Sequence, residues 1–288
     1  MTTTITTHTI QAPGATLTYD VRGALGDGVP LLLIGSPMGA EGFATLAGHF
    51  PDRTVVTYDP RGTGRSLRTG GSGEVTPDEH AADLQRLAES LGGGPVDVFA
   101  SSGGAVNALA WIPGHGEQVR TLVAHEPPLA TVLPDHEALT AAIEDMYGVY
   151  QREGMGPAMA RFLVLVSHDG ALPTGYEYPP VDPAQFGLPT EDDGSRDDAL
   201  LGQNIRRCTG HRLDVDALRG TSTRLVLARG AASGQTMAAR GADAVATLTG
   251  AELVVFPSNH GGFLGDEYGM PGEPEAFALR LREVLEQA

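Results

Sequence analysis

Cysteine is nearly absent from this chain. Cys208 stands alone among 288 residues, which excludes an intramolecular disulfide framework and any structural zinc site built from several thiolates. A lone thiol fits a reducing compartment, and a cytoplasmic protein is expected. Basic residues are also scarce: 19 Lys and Arg stand against 36 Asp and Glu, giving a net charge of −17. Nucleic acid and anionic membrane both call for clustered cations, so neither is expected as a partner, and the acidic surface is read as a source of solubility. No apolar run approaches the roughly 18 residues that a membrane span needs. The N-terminal segment has neither the basic start nor the apolar stretch of a secretory signal, so an unsecreted protein is expected. No internal repeat is visible, and nothing in the composition sets an oligomeric state.

The hydrophobic content, 41%, is that of a globular protein with a sizeable core. Thr3–Ile10 and Ala15–Arg22 are β-branched or alternating segments parted by Pro13-Gly14, the pattern of an antiparallel hairpin. After Gly26-Asp27-Gly28 the pattern changes. Pro30–Ile34, Thr54–Tyr58, Val96–Phe99, Thr121–His125, Thr223–Ala228 and Glu252–Phe256 are short and almost continuously apolar, as strands covered on both faces must be. Helical patterns lie between most of them, at Glu41–His49, Pro77–Leu91, Gly104–Ile112, Thr236–Leu248 and Pro274–Glu286. This alternation predicts an α/β fold with a mostly parallel sheet flanked by helices.

The alternation is interrupted from about Pro127 to Thr221. Helical runs at Glu137–Arg152 and Gly156–Val166 are followed by a Pro-, Tyr- and Asp-rich stretch over Ala171–Asp198. The block is read as a mainly helical cap, residues 131–215, inserted into a core of residues 1–130 and 216–288 and lying over the carboxyl edge of the sheet, where open α/β folds bind ligands.

Chemistry concentrates at Ser102. The sequence Val96-Asp-Val-Phe-Ala-Ser-Ser-Gly-Gly-Ala-Val-Asn107 is an apolar run that ends in small residues and resumes as a helix. A small-x-Ser-x-Gly pattern lets a strand reverse tightly into a helix and exposes the central hydroxyl above the sheet. A serine hydroxyl is a weak nucleophile, so it needs a base and the base an orienting carboxylate. His260 follows the last predicted strand between Asn259 and Gly261-Gly262 and is the natural base. His8, His49, His80, His115 and His136 fall on peripheral positions where solvated or capping roles are the default. His168 and His211 fall in the cap. The loop after the penultimate strand, Ala228–Gln235, contains no carboxylate. Glu126 directly follows the strand after the Ser102 turn, and Pro127-Pro128 stop the chain and fix the direction of its carboxylate, which makes it the leading acid. Asp243, inside a predicted helix, is the second candidate; Asp214 and Asp216 are expected at the wrong edge of the sheet.

Four landmarks in order, Ile34-Gly-Ser-Pro37, Asp59-Pro-Arg-Gly-Thr-Gly-Arg-Ser66, the Ser102 turn and Asn259-His-Gly-Gly262, make the chain resemble the α/β-hydrolase superfamily over essentially its full length. The resemblance implies an eight-stranded sheet, a triad of Ser102, His260 and an acid, and oxyanion donors at the backbone N–H groups of Ser36 and Gly103, with Met38 as the fallback. An acid at Glu126 is similar to the arrangement in lactonases of that superfamily. Two departures stand out: Ile34-Gly35 where relatives have His-Gly, and Ala100 where the elbow opens with glycine. Asp59–Ser66 is read as structural.

Together these readings point to a serine hydrolase that cleaves a carboxylic ester or lactone of a medium-sized apolar molecule, through an acyl-enzyme on Ser102 and without metal or organic cofactor. Met38, His125, Met146, Tyr150 and Phe162 are expected to line the pocket. Epoxide and haloalkane hydrolysis are disfavoured, because Ser102 stands where those reactions need a carboxylate. Carbon–carbon bond hydrolysis and cofactor-free peroxidation could use the same residues, and a non-catalytic binder that keeps the elbow as architecture is the alternative from another class.

Overall fold

The hairpin forms as the turn chemistry requires. In the computed structural model, which describes residues 4–26, 28–69, 71, 73–269 and 272–287, β1 (Ile5–Ala12) pairs antiparallel with β2 (Ala15–Arg22) around Gly14, whose φ of 74° suits glycine. Thr3, expected to begin the first strand, and Asp27 of the Gly26–Gly28 stretch lie outside the described residues.

The other strands are β3 (Leu31–Ile34), β4 (Val55–Tyr58), β5 (Leu67–Arg68), β6 (Val96–Ser101), β7 (Val119–His125), β8 (Arg224–Gly230) and β9 (Glu252–Phe256). They form one nine-stranded sheet in the order β1-β2-β4-β3-β6-β7-β8-β9, parallel from β4 to β9. The expected eight strands make up that path; the ninth, β5, is two residues long and pairs with β2 off the path. It escapes a periodicity reading because two residues carry no period.

Helices cover both faces of the sheet: α1 (Ala44–Gly48), α2 (Pro77–Ser90), α3 (Gly103–His115), α8 (Met237–Thr249) and α9 (Pro274–Glu286). Between β7 and β8 run α4 (His136–Glu153), α5 (Met155–Val166), α6 (Ile205–Thr209) and α7 (Val215–Gly220). Side chains alternate along each strand, so the two faces of the sheet enter two separate cores. Leu32, Ile34, Val98 and Leu122 pack with Leu84 of α2, Val106 and Leu109 of α3 and Val245 of α8. Leu31, Leu33, Phe99 and Val123 pack with Leu46 of α1 and Phe277 and Leu281 of α9. Each such fully buried leucine contributes about 2 kcal/mol relative to exposure.

Helix α2 starts where its sequence says it should. Thr76 caps Glu79 N–H and Glu79 reaches back to Thr76 N–H, a capping box with Pro77 in the first turn. Helices α4 and α5 form a third core with Leu201 and Ile205, through Leu139, Ile143, Met146, Val149, Tyr150, Ala158 and Leu165. The Asp59–Ser66 loop is held by charge: Asp59 accepts from Ala40 N at 2.8 Å and from Arg65 N and Nε, while Arg61 makes a two-pronged bond to the buried Asp83 at 2.7 and 2.6 Å.

The sheet order reverses direction at β3, with β4 on one side and β6 on the other. That switch point brings the carboxyl ends of β3 and β6 together, and Ser36 and Ser102 follow those two ends.

Candidate active site

Ser102 leaves β6 and caps α3 with φ 57° and ψ −128°, a conformation that a residue with a side chain rarely adopts. The turn is fixed from the next strand, because Ser102 N–H donates to His125 O at 2.9 Å. Its side chain is partly exposed, whereas Ser101 before it is buried. Gly103 opens α3, where an N–H has no partner inside the helix. A Cβ on Gly103 would stand 2.5 Å from Ser36 O, so glycine is what lets the elbow and the loop after β3 meet.

Glu126 follows the last residue of β7 and also has positive φ, 48°. Its backbone N–H donates to Ala228 O at 2.9 Å, and Gly230 N–H donates to its Oε1 at 2.8 Å. The end of β8 thus holds both the main chain and the side chain of the acid. The loop that lacks a carboxylate supplies a backbone donor to one on the neighbouring strand. A Cβ on Gly230 would stand 2.8 Å from Ser258 O and Asn259 Cα, so this glycine admits the loop that carries His260.

His260 Nδ1 lies 2.6 Å from Glu126 Oε2. The carboxylate is fully buried and the imidazole 46% exposed. Burial alone would push the Glu126 carboxyl up, but the hydrogen bond to His260 and attraction to the two nearby imidazoles outweigh it and hold the carboxyl at about 2. Glu126 is therefore ionised at neutral pH, in position to fix the His260 ring with Nδ1–H toward the acid and Nε2 free. A carboxylate held this way against one ring nitrogen orients a histidine as a general base requires. Asp243, the second candidate acid, pairs instead with Arg229. Asp214 caps α7 through Ala217 N, and Asp216 pairs with Arg219.

The expected pocket residues divide. Met38 and Phe162 are partly buried. Met146 and Tyr150 are completely buried within the α4–α5 core, and the Tyr150 hydroxyl accepts from Asp198 N–H. They fill that core and present no open wall. A helical period marks an apolar stripe without saying which neighbour it meets. His125 is also completely buried, beneath the site and among Phe99, Phe256, Phe263 and Phe277. His80, expected at the periphery, is buried in α2 and bonds Asn204 Oδ1 at 2.9 Å.

Cys208 on α6 is buried, with its thiol pushed up to about 12 by burial, and its Sγ lies 3.4 Å from where a Cβ on Gly103 would stand. The segment between β7 and β8 therefore reaches the start of α3. A cavity of about 410 Å3 lined by Asp20, Arg22, Glu41, Asp59 and Arg65 among others lies beside β2 and β4 and shares no residue with Ser102, Glu126 and His260. Among the described residues, no group of three or more His, Cys, Asp or Glu side chains is arranged to hold a metal ion, and no helix is long and apolar enough to cross a membrane.

Residues 30–153 match the family profile described as the alpha/beta hydrolase fold. In three dimensions the chain is similar to MGS-M2, an alpha/beta hydrolase enzyme from a Medee basin deep-sea metagenome library, with TM-score 0.71, 16% identity and 98% of each chain covered. It is also similar to a thermophilic esterase from Thermogutta terrifontis, with TM-score 0.68, 19% identity, and 97% of this chain and 96% of that chain covered. At the level of sequence it is 30% identical over 291 residues to the uncharacterized hydrolase YraK of Bacillus subtilis, spanning 99% of this chain and 97% of that protein. A relationship that runs from end to end, on a sheet whose order and crossovers are those of the same fold, makes this chain a member of the α/β-hydrolase family.

Proposed function

We propose that the protein is a serine hydrolase of carboxylic esters or lactones, with Ser102 as nucleophile, His260 as base and Glu126 as the orienting acid. The observation that carries this reading is the 2.6 Å contact between His260 Nδ1 and a Glu126 carboxylate that is wholly buried and ionised. A buried, charged acid bonded to one nitrogen of a half-exposed histidine is costly to build and fits a base that must gain and lose a proton beside it.

Ser102 Oγ adds to the carbonyl carbon while His260 Nε2 takes its proton. The oxyanion is met by the N–H groups of Gly103 and Ser36, whose chains approach each other at the β3–β6 switch point. The tetrahedral intermediate collapses as His260 gives the proton to the leaving alkoxide, leaving an acyl group on Ser102. Water, deprotonated by His260, then releases the acid and restores the serine. These steps call for no metal or organic cofactor.

Residues 131–215 act in this reading as a cap. Support comes from α6, which brings Cys208 against Gly103, and from the partly exposed Phe162, Leu163 and Val164 of α5. Such side chains favour an apolar acyl or alcohol part. The similarly folded protein of Thermogutta terrifontis is an esterase, which agrees with an ester as substrate.

The test is turnover of a p-nitrophenyl ester series of increasing acyl length, together with labelling by a fluorophosphonate read by mass spectrometry of the Ser102 peptide. Ester turnover with labelling confined to Ser102 supports the proposal. A folded wild-type protein that neither hydrolyses any ester nor labels at Ser102 would sink it.

A further inference from the structure

The residue before the proposed acid touches all three members of the proposed triad, each with a different part of itself. The carbonyl of His125 accepts from Ser102 N–H at 2.9 Å, and its peptide bond leads directly to Glu126. Its ring stacks on the ring of His260, with centroids 5.8 Å apart and planes 25° from parallel. Strand alternation explains the placement. Phe99 and Ser101 of β6, and Val123 and His125 of β7, point to the α9 side, and Ser101 stands in register beside His125. Ser101 Oγ lies 3.0 Å from His125 Nδ1.

The ring cannot turn away from His260. Phe99, Phe256, Phe263 and Phe277 surround it at centroid distances of 5.8, 6.3, 6.3 and 5.4 Å. Its Nε2 has no hydrogen-bond partner among the described residues, although the side chain is fully buried. An unpaired buried imidazole nitrogen has a cost, so hydrogen bonding alone does not account for histidine at this position. The titratable groups that face it are Glu126, one residue on, and His260.

We propose that His125 is a positioning residue for His260: its boxed-in ring holds the plane of the base and offers an aromatic face to the imidazolium that forms when Ser102 is deprotonated. The inference rests on the assignment of His260 as the base. Two features follow from geometry. Glu126 fixes one edge of the His260 ring and His125 fixes one face, so the 46%-exposed base has little freedom left about χ2. An aromatic face beside a cation is attractive, whereas a second charged imidazole there would be repulsive. The aromatic box keeps His125 neutral and removes that repulsion.

The experiment follows the ring nitrogens of His260 by NMR through a pH titration in wild type, His125→Phe, His125→Leu and Ser101→Ala, and measures kcat and KM on the best p-nitrophenyl ester with the same samples. In His125→Leu the His260 midpoint is expected to fall by about 0.5 pH unit, and in His125→Phe, which keeps the aromatic face, to stay within about 0.2. For kcat, losses of about tenfold in the leucine variant and less than about threefold in the phenylalanine variant are expected, with KM changed by under about twofold in both. Ser101→Ala loosens the ring without a large change of volume and is expected to shift the midpoint in the same direction by a smaller amount. It carries the test if His125→Leu does not fold. An unchanged His260 midpoint in every folded variant that loses the aromatic face or its Ser101 anchor overturns the inference, and so does an equal shift in phenylalanine and leucine variants. If the variants shift the His260 midpoint as expected while folded wild type turns over no ester, the contact is supported and the hydrolase reading is overturned, so the two fail separately.

Discussion

The two ends of the β6–β7 pair each bury a carboxylate completely, and they do opposite things with it. At the start of β6, Asp97 is gripped by Arg53 at 2.7 Å and by Arg120 through Nε at 2.8 Å and Nη2 at 2.5 Å. At the far end, Glu126 meets one half-exposed histidine and one backbone N–H. The chain contains no lysine, so every basic side-chain partner of the first kind is a guanidinium that never gives up its charge. A buried acid with permanent cations is a fastener. A buried acid whose partner is an imidazole, a group that can give up its proton, can take part in a reaction, and the backbone records that difference. Ser102, Glu126 and Ser258 are the non-glycine residues with positive φ among those described, and all three lie at or beside the carboxyl-end site. Strain of about 1–3 kcal/mol per residue is gathered where geometry has to be imposed.

The comparison breaks most severely if the carboxyl-end site is not a working unit. Ser102→Ala and His260→Ala are each expected to lower kcat for the best ester by about 10⁴-fold or more, and Glu126→Gln by about 10³-fold or more, with thermal unfolding midpoints close to wild type in the first two. Steady-state kinetics at equal folded concentration reads this directly. Retention of a tenth of the activity by any of the three removes that residue from the mechanism.

Acid should undo the carboxyl end in two separable steps. Burial holds the His125 imidazole down at about 4, against 6.5 for an open histidine. Between those values the unfolded chain takes up a proton that the folded one refuses, so the associated stability is complete above about 6.5 and is lost as pH falls toward 4. The loss amounts to about 3 kcal/mol. Glu126 has the other sign of partner: its carboxyl, near 4.5 when free, is held at about 2. Its stabilisation is present above 4.5 and disappears as pH falls toward 2. Urea unfolding of wild type and His125→Phe at pH 7, 5.5 and 4 should give a steeper decline in wild type. Parallel curves would mean that the box admits the proton.

Opening the fastener at the other end should cost stability and leave chemistry alone. Asp97→Asn takes the charge from between two arginines whose side chains are 19% and 42% exposed. Solvent reaches both cations, so the loss falls below the 3–5 kcal/mol typical of a closed pair, at about 2 kcal/mol. The kcat of the folded fraction should stay within about twofold of wild type. A variant as stable as wild type but tenfold slower would reverse the roles assigned to the two ends.

Sequence reasoning reaches these two ends unequally. Strand β9 and helix α9 have the limits that their apolar runs and Pro274 imply, but the run overstates the burial of β9: it is an edge strand, and Leu253 and Val255 on one of its faces are exposed, contrary to the expectation of a strand covered on both faces. Ser102, Glu126 and His260 are legible as strand-end residues in a known order, and the structure brings the last two into contact. Asp97 gives no such mark, since its arginines come from positions 53 and 120 and ion pairs across strands have no sequence period. Met146 and Tyr150 were legible as apolar and not as interior to their own helix pair. His125 could have been placed more closely: two strands ending in Phe-x-Ser and Val-x-His set both polar residues on one face, and the register pairs them.

The smallest expected effect belongs to Asp243, the alternative acid. In sequence it competes with Glu126; in three dimensions it lies on α8 and pairs with Arg229 at the end of β8, with its side chain 36% exposed. A pair open to solvent is worth under about 1 kcal/mol, and Arg229 keeps a second acceptor in Gly234 O. Asp243→Asn should therefore lower stability by less than about 1 kcal/mol and change kcat/KM by less than about twofold, read on the same ester and under the same urea titration as Asp97→Asn. The result bears on the comparison because Asp243 stands near the carboxyl end of the sheet yet carries a guanidinium partner, as Asp97 does. If its partner sets its role, it behaves as a weak fastener. A hundredfold loss of kcat/KM without loss of stability would instead mean that location alone decides, and Glu126 would no longer be distinguished by its histidine.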